Sequence, residues 1–224
     1  MVGAVVGGVA EGCRQAGAAL LGGETAEHPG TMDADAFDLA GFCVGLGQDQ
    51  HLLGPHRVAA GDTLVGLASS GLHSNGYSLI RRAFVGSHDL EAVPEGFTCT
   101  LGEELLEPTR IYAHMVVRLA KAARIAAAAH ITGGGIPENL PRMLPEGMGA
   151  RVDTSAWQRP PIFDLVQAAS GASRQDMFAT FNMGIGMVVA TSPMDVDEVL
   201  QIAGEAGPAM VIGSVTDTPG LELV

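Results

Sequence analysis

Short apolar runs alternate with longer segments of helical spacing between residues 62 and 217. The runs typical of buried strands, rich in small and β-branched residues, are DTLVGLASS, AAAAHIT, MGARVDT, GIGMVVATS and AMVIGSVTD. The segments that place apolar residues at helical intervals are SNGYSLIRRAF, PTRIYAHMVVRLAKAARI, IPENLPRML, PPIFDLVQAAS, SRQDMFATF and MDVDEVLQIAGEAG. This alternation predicts an α/β or α+β domain over residues 53–224, with helices packed on a mixed sheet.

The first 52 residues have a different character. VGAVVGGVAEGCRQAGAAL has small and apolar residues at helical spacing, which predicts a closely packed, buried helix. LLGG and FDLAGFCVGLG are each predicted to be apolar strands, and QDQHLLGPHRVAAGD, with its Gly-Pro and Gly-Asp breaks, is predicted to be a connector. We therefore expect residues 1–52 to be the remnant of an incomplete N-terminal α/β domain, with further chain upstream.

The acidic balance of the chain restricts its partners. It has 25 acidic and 12 basic residues, a formal charge of −13. Most of the surface repels a phosphate backbone, so nucleic acid binding is not expected. A small phosphorylated ligand remains compatible with this charge, because local backbone N–H groups and a metal ion can hold an anion.

Cysteine usage and the N-terminal sequence indicate a cytoplasmic protein. Cys13, Cys43 and Cys99 are odd in number and lack CxxC spacing, so neither a disulfide framework nor a zinc site is indicated. The apolar stretch from residue 1 to 21 carries Glu11 and Arg14 and has no basic start. It is therefore predicted to be neither a membrane span nor a signal peptide.

The segment HITGGGIPENLPRML has three consecutive glycines between an apolar run and a helical segment, with Pro137 at the expected first helical position. Glycine permits positive φ and close approach to a ligand, and a helix start offers unpaired N–H groups. This geometry suits a phosphate. The alternative is a tight turn against a packed helix.

A second strand end carries a histidine. In SSGLHSNGYSLI, Ser74 or Asn75 is predicted to cap a helix, and His73 stands at its entrance. A histidine there can polarise or protonate a ligand near neutral pH. The alternative is a surface or hydrogen-bonding histidine.

Carboxylates follow Gly22 and Gly23 in LLGGETAEHPG, where Glu24 and Glu27 are three residues apart beside His28. Magnesium takes oxygen ligands from one or two carboxylates together with substrate phosphates, which makes this a candidate metal site. The alternative is a solvated acidic loop.

Two further segments are predicted to be mainly structural. In FNMGIGMVVA, two glycines and two methionines enter a strand, and a buried strand start is favoured over a ligand contact. In LLEPTRIY, Thr109 is predicted to cap the next helix. Arg110 is interpreted as structural, with pairing to a carboxylate or an anion as the alternative.

Taken together, GGETAEHPG, SSGLHSNGYSLIRR, LLEPTRIY, HITGGGIPENLPRMLP and FNMGIGM, in this order, resemble the aminoimidazole ribonucleotide synthetases, also called phosphoribosylformylglycinamidine cyclo-ligases. The resemblance covers essentially the whole chain. It implies ATP-dependent ring closure of formylglycinamidine ribonucleotide in purine biosynthesis, with ATP and Mg²⁺ and a homodimer formed through the N-terminal domain.

The same resemblance assigns roles to residues. Glu24 is expected to bind metal and His73 to activate the substrate or stabilise charge. The residues expected to hold ATP or substrate phosphate are Ser74, Asn75, Gly76, Thr132, Gly133, Gly134 and Gly135.

The N-terminal portion of this family, with its Gly-rich segment, ATP-site lysine and metal-binding aspartates, has no match in the sequence. Two alternatives stay open: a non-catalytic binding or assembly module, and a related ATP-dependent enzyme such as formylglycinamidine synthetase.

Overall fold

A computed structural model describes residues 2–33, 36–122 and 124–224 of the chain. Two compact units are present, Met1–Leu52 and Leu53–Val224, and the division falls in the predicted connector. Ala123, in the predicted helix PTRIYAHMVVRLAKAARI, lies outside the described residues. None of the described helices is long and apolar enough to cross a membrane.

The second unit alternates helices and strands, as its sequence pattern predicts. Its strands are β1 (Thr63–Ala68), β2 (Ala127–His130), β3 (Gly149–Val152), β4 (Ile185–Thr191), β5 (Ala209–Thr216) and β6 (Gly220–Leu223). Its helices, numbered after α1 (Val2–Ala16) of the first unit, are α2 (Tyr77–Phe84), α3 (Leu101–Leu105), α4 (Ala113–Lys121), α5 (Gly135–Asn139), α6 (Pro161–Ser170), α7 (Arg174–Thr180) and α8 (Val196–Gly204).

The six strands form one mixed sheet in the order β2-β4-β1-β5-β3-β6. The β3–β6 pair is parallel and the other four pairs are antiparallel. Leu64 in β1 is opposite Ala190 of β4 on one side and Gly213 of β5 on the other. The predicted architecture of helices on a mixed sheet is confirmed.

Successive residues of the strands pack alternately into two hydrophobic cores, one on each face of the sheet. Leu64, Val188 and Ile212 belong to the larger core, which also contains buried side chains of α2, α3, α5, α6 and α7. Val65 and Val189, the next residues along β1 and β4, belong to the smaller core beneath α4 and α8. This period of two is what places helices on both faces of the sheet.

Three features of the second unit differ from the sequence prediction. The region 86–106, to which the sequence analysis assigned no element, contains α3, which begins with a capping box between Thr100 and Glu103. The predicted helix IPENLPRML is a short α5 followed by a 3₁₀ turn, Leu140–Met143, because Pro141 cannot donate to a continuing α-helix. Strand β6 was not predicted, and it forms by pairing in parallel with β3.

The first unit does not match its predicted secondary structure. Helix α1 is present, but none of its residues is buried, so the predicted buried helix is wrong. The predicted strands LLGG and FDLAGFCVGLG have no strand structure and are exposed. A buried strand needs a hydrogen-bonding neighbour, and the only bridge among the described residues of this unit joins Pro29 and Met32.

We expect Phe163→Ala to destabilise the second unit by about 3–5 kcal/mol, because it leaves a cavity in the larger core. Phe163 is fully buried, and its ring packs edge-on against Phe181 with 6.2 Å between ring centroids. Urea unfolding measures the change. The control is Met194→Ala, since Met194 is 92% exposed. Equal stability of the two variants would contradict this account of the core.

Candidate functional site

The loop after β1 carries His73 in an unusual backbone conformation. His73 has φ +58°, a left-handed value that non-glycine residues rarely adopt. Its Nε2 accepts a hydrogen bond from the backbone N–H of Ser70 at 3.1 Å. The side chain is only 3% exposed. The predicted entrance histidine is therefore a buried, hydrogen-bonded residue rather than a surface one.

Residues 108–112 lie against this loop, and three hydrogen bonds join the two segments. The Ser70 hydroxyl donates to the Pro108 carbonyl at 2.6 Å, and the Ser74 and Thr109 hydroxyls are 3.0 Å apart. The Arg110 N–H donates to His73 Nε2 at 3.5 Å, a long hydrogen bond. The two motifs SSGLHSNGYSLI and LLEPTRIY thus meet in space.

The predicted helix caps are wrong. Helix α2 begins after Gly76, whose φ is +74°, and neither Ser74 nor Asn75 caps it with a side chain. Helix α4 begins after Tyr112, not after Thr109, and also lacks a side-chain cap. The hydroxyls of Ser74 and Thr109 bond to each other instead, so these polar groups join two loops rather than ending helices.

The three glycines form a turn, and at two of them other residues would be strained. Gly134 has φ +90° and Gly135 has φ +58°. A Cβ on Gly135 would lie 1.8 Å from the Phe178 carbonyl oxygen, so Gly135 is required by packing against α7. Helix α5 starts at Gly135, which makes Pro137 its third residue rather than its first.

The side chain of Asn139 stabilises the glycine turn by hydrogen bonds. Its Nδ2 lies 3.4, 3.1 and 2.8 Å from the carbonyl oxygens of Thr132, Gly133 and Gly135, to which it donates. Its Oδ1 accepts from the Thr132 hydroxyl at 3.3 Å. Asn139 is 3% exposed. These bonds turn the carbonyl groups of the loop toward Asn139.

Two N–H groups of the turn are not used by the described fold. Among the described residues, no hydrogen bond from the backbone N–H of Gly133 or Gly134 is found. Gly133 is exposed, and a Cβ built on it would lie 3.6 Å from the side-chain oxygen of Asn75. Unpaired N–H groups beside an open glycine are chemically suited to accept an anion such as a phosphate oxygen.

Three rings meet above β4, where Gly186 leaves room for them. The ring centroids of His73, Tyr112 and His130 are 6.0–6.4 Å apart. A Cβ on Gly186 would lie 2.0 Å from the Tyr112 hydroxyl and 2.6 Å from His73 Cε1. The Tyr112 hydroxyl donates to the Ala68 carbonyl at 2.9 Å. The motif FNMGIGM therefore contributes space to the site.

Burial sets the ionisation of these rings. Burial is the main cause that lowers the pKa of His73 to about 4. The electrostatic influence of the neighbouring His130 and Arg110 side chains lowers it further. Burial also lowers the pKa of His130 and raises that of Tyr112. All three rings are consequently neutral at pH 7.

Arg110 brings a cation to this site. Its Nη1 lies over Gly207, where an added Cβ would be 2.0 Å away. None of the ion pairs found among the described residues includes Arg110. The alternative that Arg110 pairs with an anion of a ligand therefore stays a prediction.

The described residues contain no cluster of metal-ligating side chains. No group of three His, Cys, Asp or Glu side chains within 2–33, 36–122 and 124–224 is placed to hold a metal ion. Glu24 is exposed in the first unit, outside any regular secondary structure. Its assignment as a metal ligand stays a prediction.

The comparisons with known proteins agree with the motifs. Residues 59–224 match the family described as AIR synthase related protein, C-terminal domain. The chain belongs to this family. It is 48% identical to the phosphoribosylformylglycinamidine cyclo-ligase of Geobacillus kaustophilus over 98% of its length, and 51% identical to that of Shouchella clausii over 97%. It spans 64% of the length of both relatives.

A solved structure has a similar fold. Thiamine-monophosphate kinase from Stenotrophomonas maltophilia is similar with a TM-score of 0.54 and 19% sequence identity. The similarity covers 80% of this chain and 54% of the kinase chain. At this identity, the likeness concerns the fold alone.

A cavity of about 360 Å³ lies beside the glycine turn, at the free edge of β2. His130, Asn139 and Arg142 are among its lining residues. A second cavity of about 480 Å³ includes Gly76 and Arg82. The residues predicted to hold phosphate therefore lie in two different places. Gly133 faces Asn75, whereas Gly76 lines the second cavity.

Sequence reasoning missed the residues that hold the site together. Asn139 and Asn182 are buried asparagines, and Tyr112, His130 and Gly186 shape the ring cluster. His130 is the first residue of the motif HITGGGIPENLPRML, but nothing in the sequence around it indicates what its side chain contacts. A polar asparagine inside the apolar run FATFNMGIGM was the one signal that could have indicated Asn182, because buried polar groups need partners.

We expect Asn139→Ala to loosen the glycine turn, because carbonyls of Thr132, Gly133 and Gly135 lose their donor. An orphaned buried polar group costs about 1–3 kcal/mol. Hydrogen exchange followed by mass spectrometry should be faster over residues 131–136. Glu146→Ala, at an exposed position near the same helix, is the control. Unchanged exchange in Asn139→Ala would contradict the bracing role.

Proposed function

We propose that the chain is part of an ATP-dependent cyclo-ligase that converts formylglycinamidine ribonucleotide to aminoimidazole ribonucleotide. The meeting of four motif segments around His73 carries this proposal. His73 and Asn75 follow β1, and Thr109 and Arg110 precede α4. His130 is the last residue of β2, Gly133 follows it, and Gly186 is in β4. Family membership supports the same activity.

The reaction proposed is a phosphorylation followed by ring closure. The formyl oxygen of the substrate takes the γ-phosphoryl group of ATP, which releases ADP. The amidine nitrogen then attacks the activated carbon, phosphate leaves with the former formyl oxygen, and a proton is released to solvent. Positioning and electrostatic stabilisation supply most of the catalysis in such transfers.

The glycine turn is proposed to hold a phosphate of the substrate or of ATP. Its support is the difference in hydrogen bonding between the two kinds of backbone group. The carbonyls face Asn139, and the N–H groups of Gly133 and Gly134 have no partner among the described residues. The hydroxyl of Ser74 and the amide of Asn75 lie on the neighbouring loop and are proposed to add polar contacts. Gly135 is buried and supports the turn instead of touching the ligand.

Magnesium belongs to the proposal only through the resemblance. Carboxylates and phosphate oxygens are its usual ligands, and Glu24 is the residue proposed to contribute. Because the described residues form no cluster for this ion, no step of the reaction is assigned to it here. A homodimer and a cytoplasmic location are proposed on the same basis.

The decisive experiment measures phosphate release from ATP with and without formylglycinamidine ribonucleotide and magnesium. It compares this chain with a version carrying any residues encoded upstream. We expect substrate-dependent release from the longer version, because the relatives are longer than this chain. Release that does not depend on the substrate, or none from either version, would contradict the proposed function. Binding of the substrate without release would favour a non-catalytic module.

The phosphate site has its own test in Gly133→Ala. Gly133 has no positive φ, and an added methyl group would make only an ordinary contact with Asn75, so the fold should tolerate it. A methyl there hinders approach to the N–H groups, and losing a hydrogen bond to a charged group costs about 1.5–3 kcal/mol, or roughly 10- to 100-fold in Kd. Isothermal titration with the substrate measures this.

The control for that variant is Gly204→Ala. Gly204 also lacks a positive φ and has open space around its Cα. Gly134→Val is less informative, because its φ of +90° and its contact with Glu138 would disturb the turn itself. If Gly133→Ala binds as tightly as Gly204→Ala, the three glycines serve only as a turn.

A further inference from the structure

The hydrogen bonds of His73 determine which ring nitrogen carries the proton. Nε2 lies 3.1 Å from the backbone nitrogen of Ser70 and 3.5 Å from that of Arg110. A backbone N–H can only donate, so Nε2 must be an unprotonated acceptor. In a neutral imidazole the proton is then on Nδ1.

The Nδ1–H group has no use within the fold. It is buried and lacks a hydrogen-bond partner among the described residues, and the whole His73 side chain is 3% exposed. An unsatisfied buried donor costs about 1–3 kcal/mol. The left-handed φ of +58° at His73 adds local strain. Two unfavourable features at one residue point to a partner that binds there.

Asn182 fixes the loop in this strained form. Its Nδ2 donates to the carbonyl oxygens of Gly71 at 2.9 Å and Leu72 at 3.2 Å. Its Oδ1 accepts from the Gly184 N–H at 2.8 Å. Asn182 is 1% exposed, and its bonds join the two residues immediately before His73 to the start of β4.

We propose that His73 is a fixed hydrogen-bond donor, whose Nδ1–H donates to an acceptor oxygen of the bound substrate, and that Asn182 is its positioning residue. This inference rests on the proposed function, since the substrate is the one named there. A general-base role is excluded, because Nε2 is occupied by backbone donors and Nδ1 already carries a proton.

The charges around His73 keep this arrangement constant near neutral pH. The groups that face the ring are His130 at the end of β2, Tyr112 before α4 and the guanidinium of Arg110. Burial, together with His130 and Arg110, lowers the pKa of His73 to about 4. From pH 6 to pH 8 the ring should therefore stay neutral with its proton on Nδ1.

Nuclear magnetic resonance on the ¹⁵N-labelled protein, in the version that carries any residues encoded upstream, tests the proton position directly. Two-bond ¹H–¹⁵N correlations should show a protonated Nδ1 and an unprotonated Nε2 at every pH from 6 to 8. Adding formylglycinamidine ribonucleotide should move the Nδ1–H proton downfield. A proton on Nε2, or a doubly protonated ring in this range, would overturn the proposal.

The ligand titration separates two kinds of failure. If other site resonances move and Nδ1–H does not, the donor role is wrong while the proposed substrate stands. If no resonance moves, the proposed substrate is wrong and the donor role falls with it. A proton found on Nδ1 would then describe the folded protein alone and would not support a role in substrate binding.

Two substitutions of His73 supply an independent measurement. An asparagine amide can reach the position of Nδ1, whereas a glutamine amide reaches that of Nε2. His73→Asn should keep substrate Kd within about threefold, and His73→Gln should weaken it by about three- to tenfold beyond that, the value of one neutral hydrogen bond. Melting temperatures of both variants control for backbone strain. Equal affinities in two folded variants would contradict Nδ1 donation.

Asn182→Ala tests the positioning residue. It should speed solvent exchange of the Nδ1–H proton and raise substrate Kd, because Gly71 and Leu72 lose their donor. The matched control is Asn139→Ala, which releases a different loop and should leave exchange of the His73 proton unchanged. A folded Asn182→Ala with unaltered exchange and Kd would remove Asn182 from the proposal. If that variant does not fold, the comparison of His73→Asn with His73→Gln decides the donor role.

Discussion

The buried side chain of Asn182 is the interaction on which the site depends. Through the carbonyls of Gly71 and Leu72 and the N–H of Gly184, it ties the end of β1 to the start of β4. Both non-glycine residues with positive φ, His73 and Met183, flank these bonds in the described chain. An amide is well suited to this task, because it donates and accepts at once without a charge to desolvate.

Asn139 performs a similar task at the end of β2. It satisfies carbonyl groups of the glycine turn, while the N–H groups of Gly133 and Gly134 have no partner among the described residues. A ligand held by backbone N–H groups meets donors whose direction is set by the fold, so little ordering is needed when it binds. The net charge of −13 does not oppose this, since the local groups rather than the total charge meet the ligand.

The sequence pattern was sufficient for the sheet and its helices in residues 53–224, because strands and helices buried on one core have clear periodicity. It was not sufficient for residues 1–52, where the same small and apolar residues lack strand neighbours in the described structure. The local sequence also led to a wrong prediction for Ser74 and Thr109. Both residue types commonly cap helices, but here their hydroxyls hydrogen-bond to each other, although they are 35 positions apart in sequence. Asn182 and Gly186 act through neighbours that are distant in sequence, and no local pattern reveals such contacts.

The strand order β2-β4-β1-β5-β3-β6 has a consequence for how the molecule forms. No two neighbouring strands are consecutive in the chain. Thr63 at the start of β1 must wait for Thr191 and Ser214 to be synthesised before it can pair on either side. Contacts this distant in sequence make folding slow. On the ribosome, β1 and the histidine loop therefore stay without their partners until nearly the whole chain has been made.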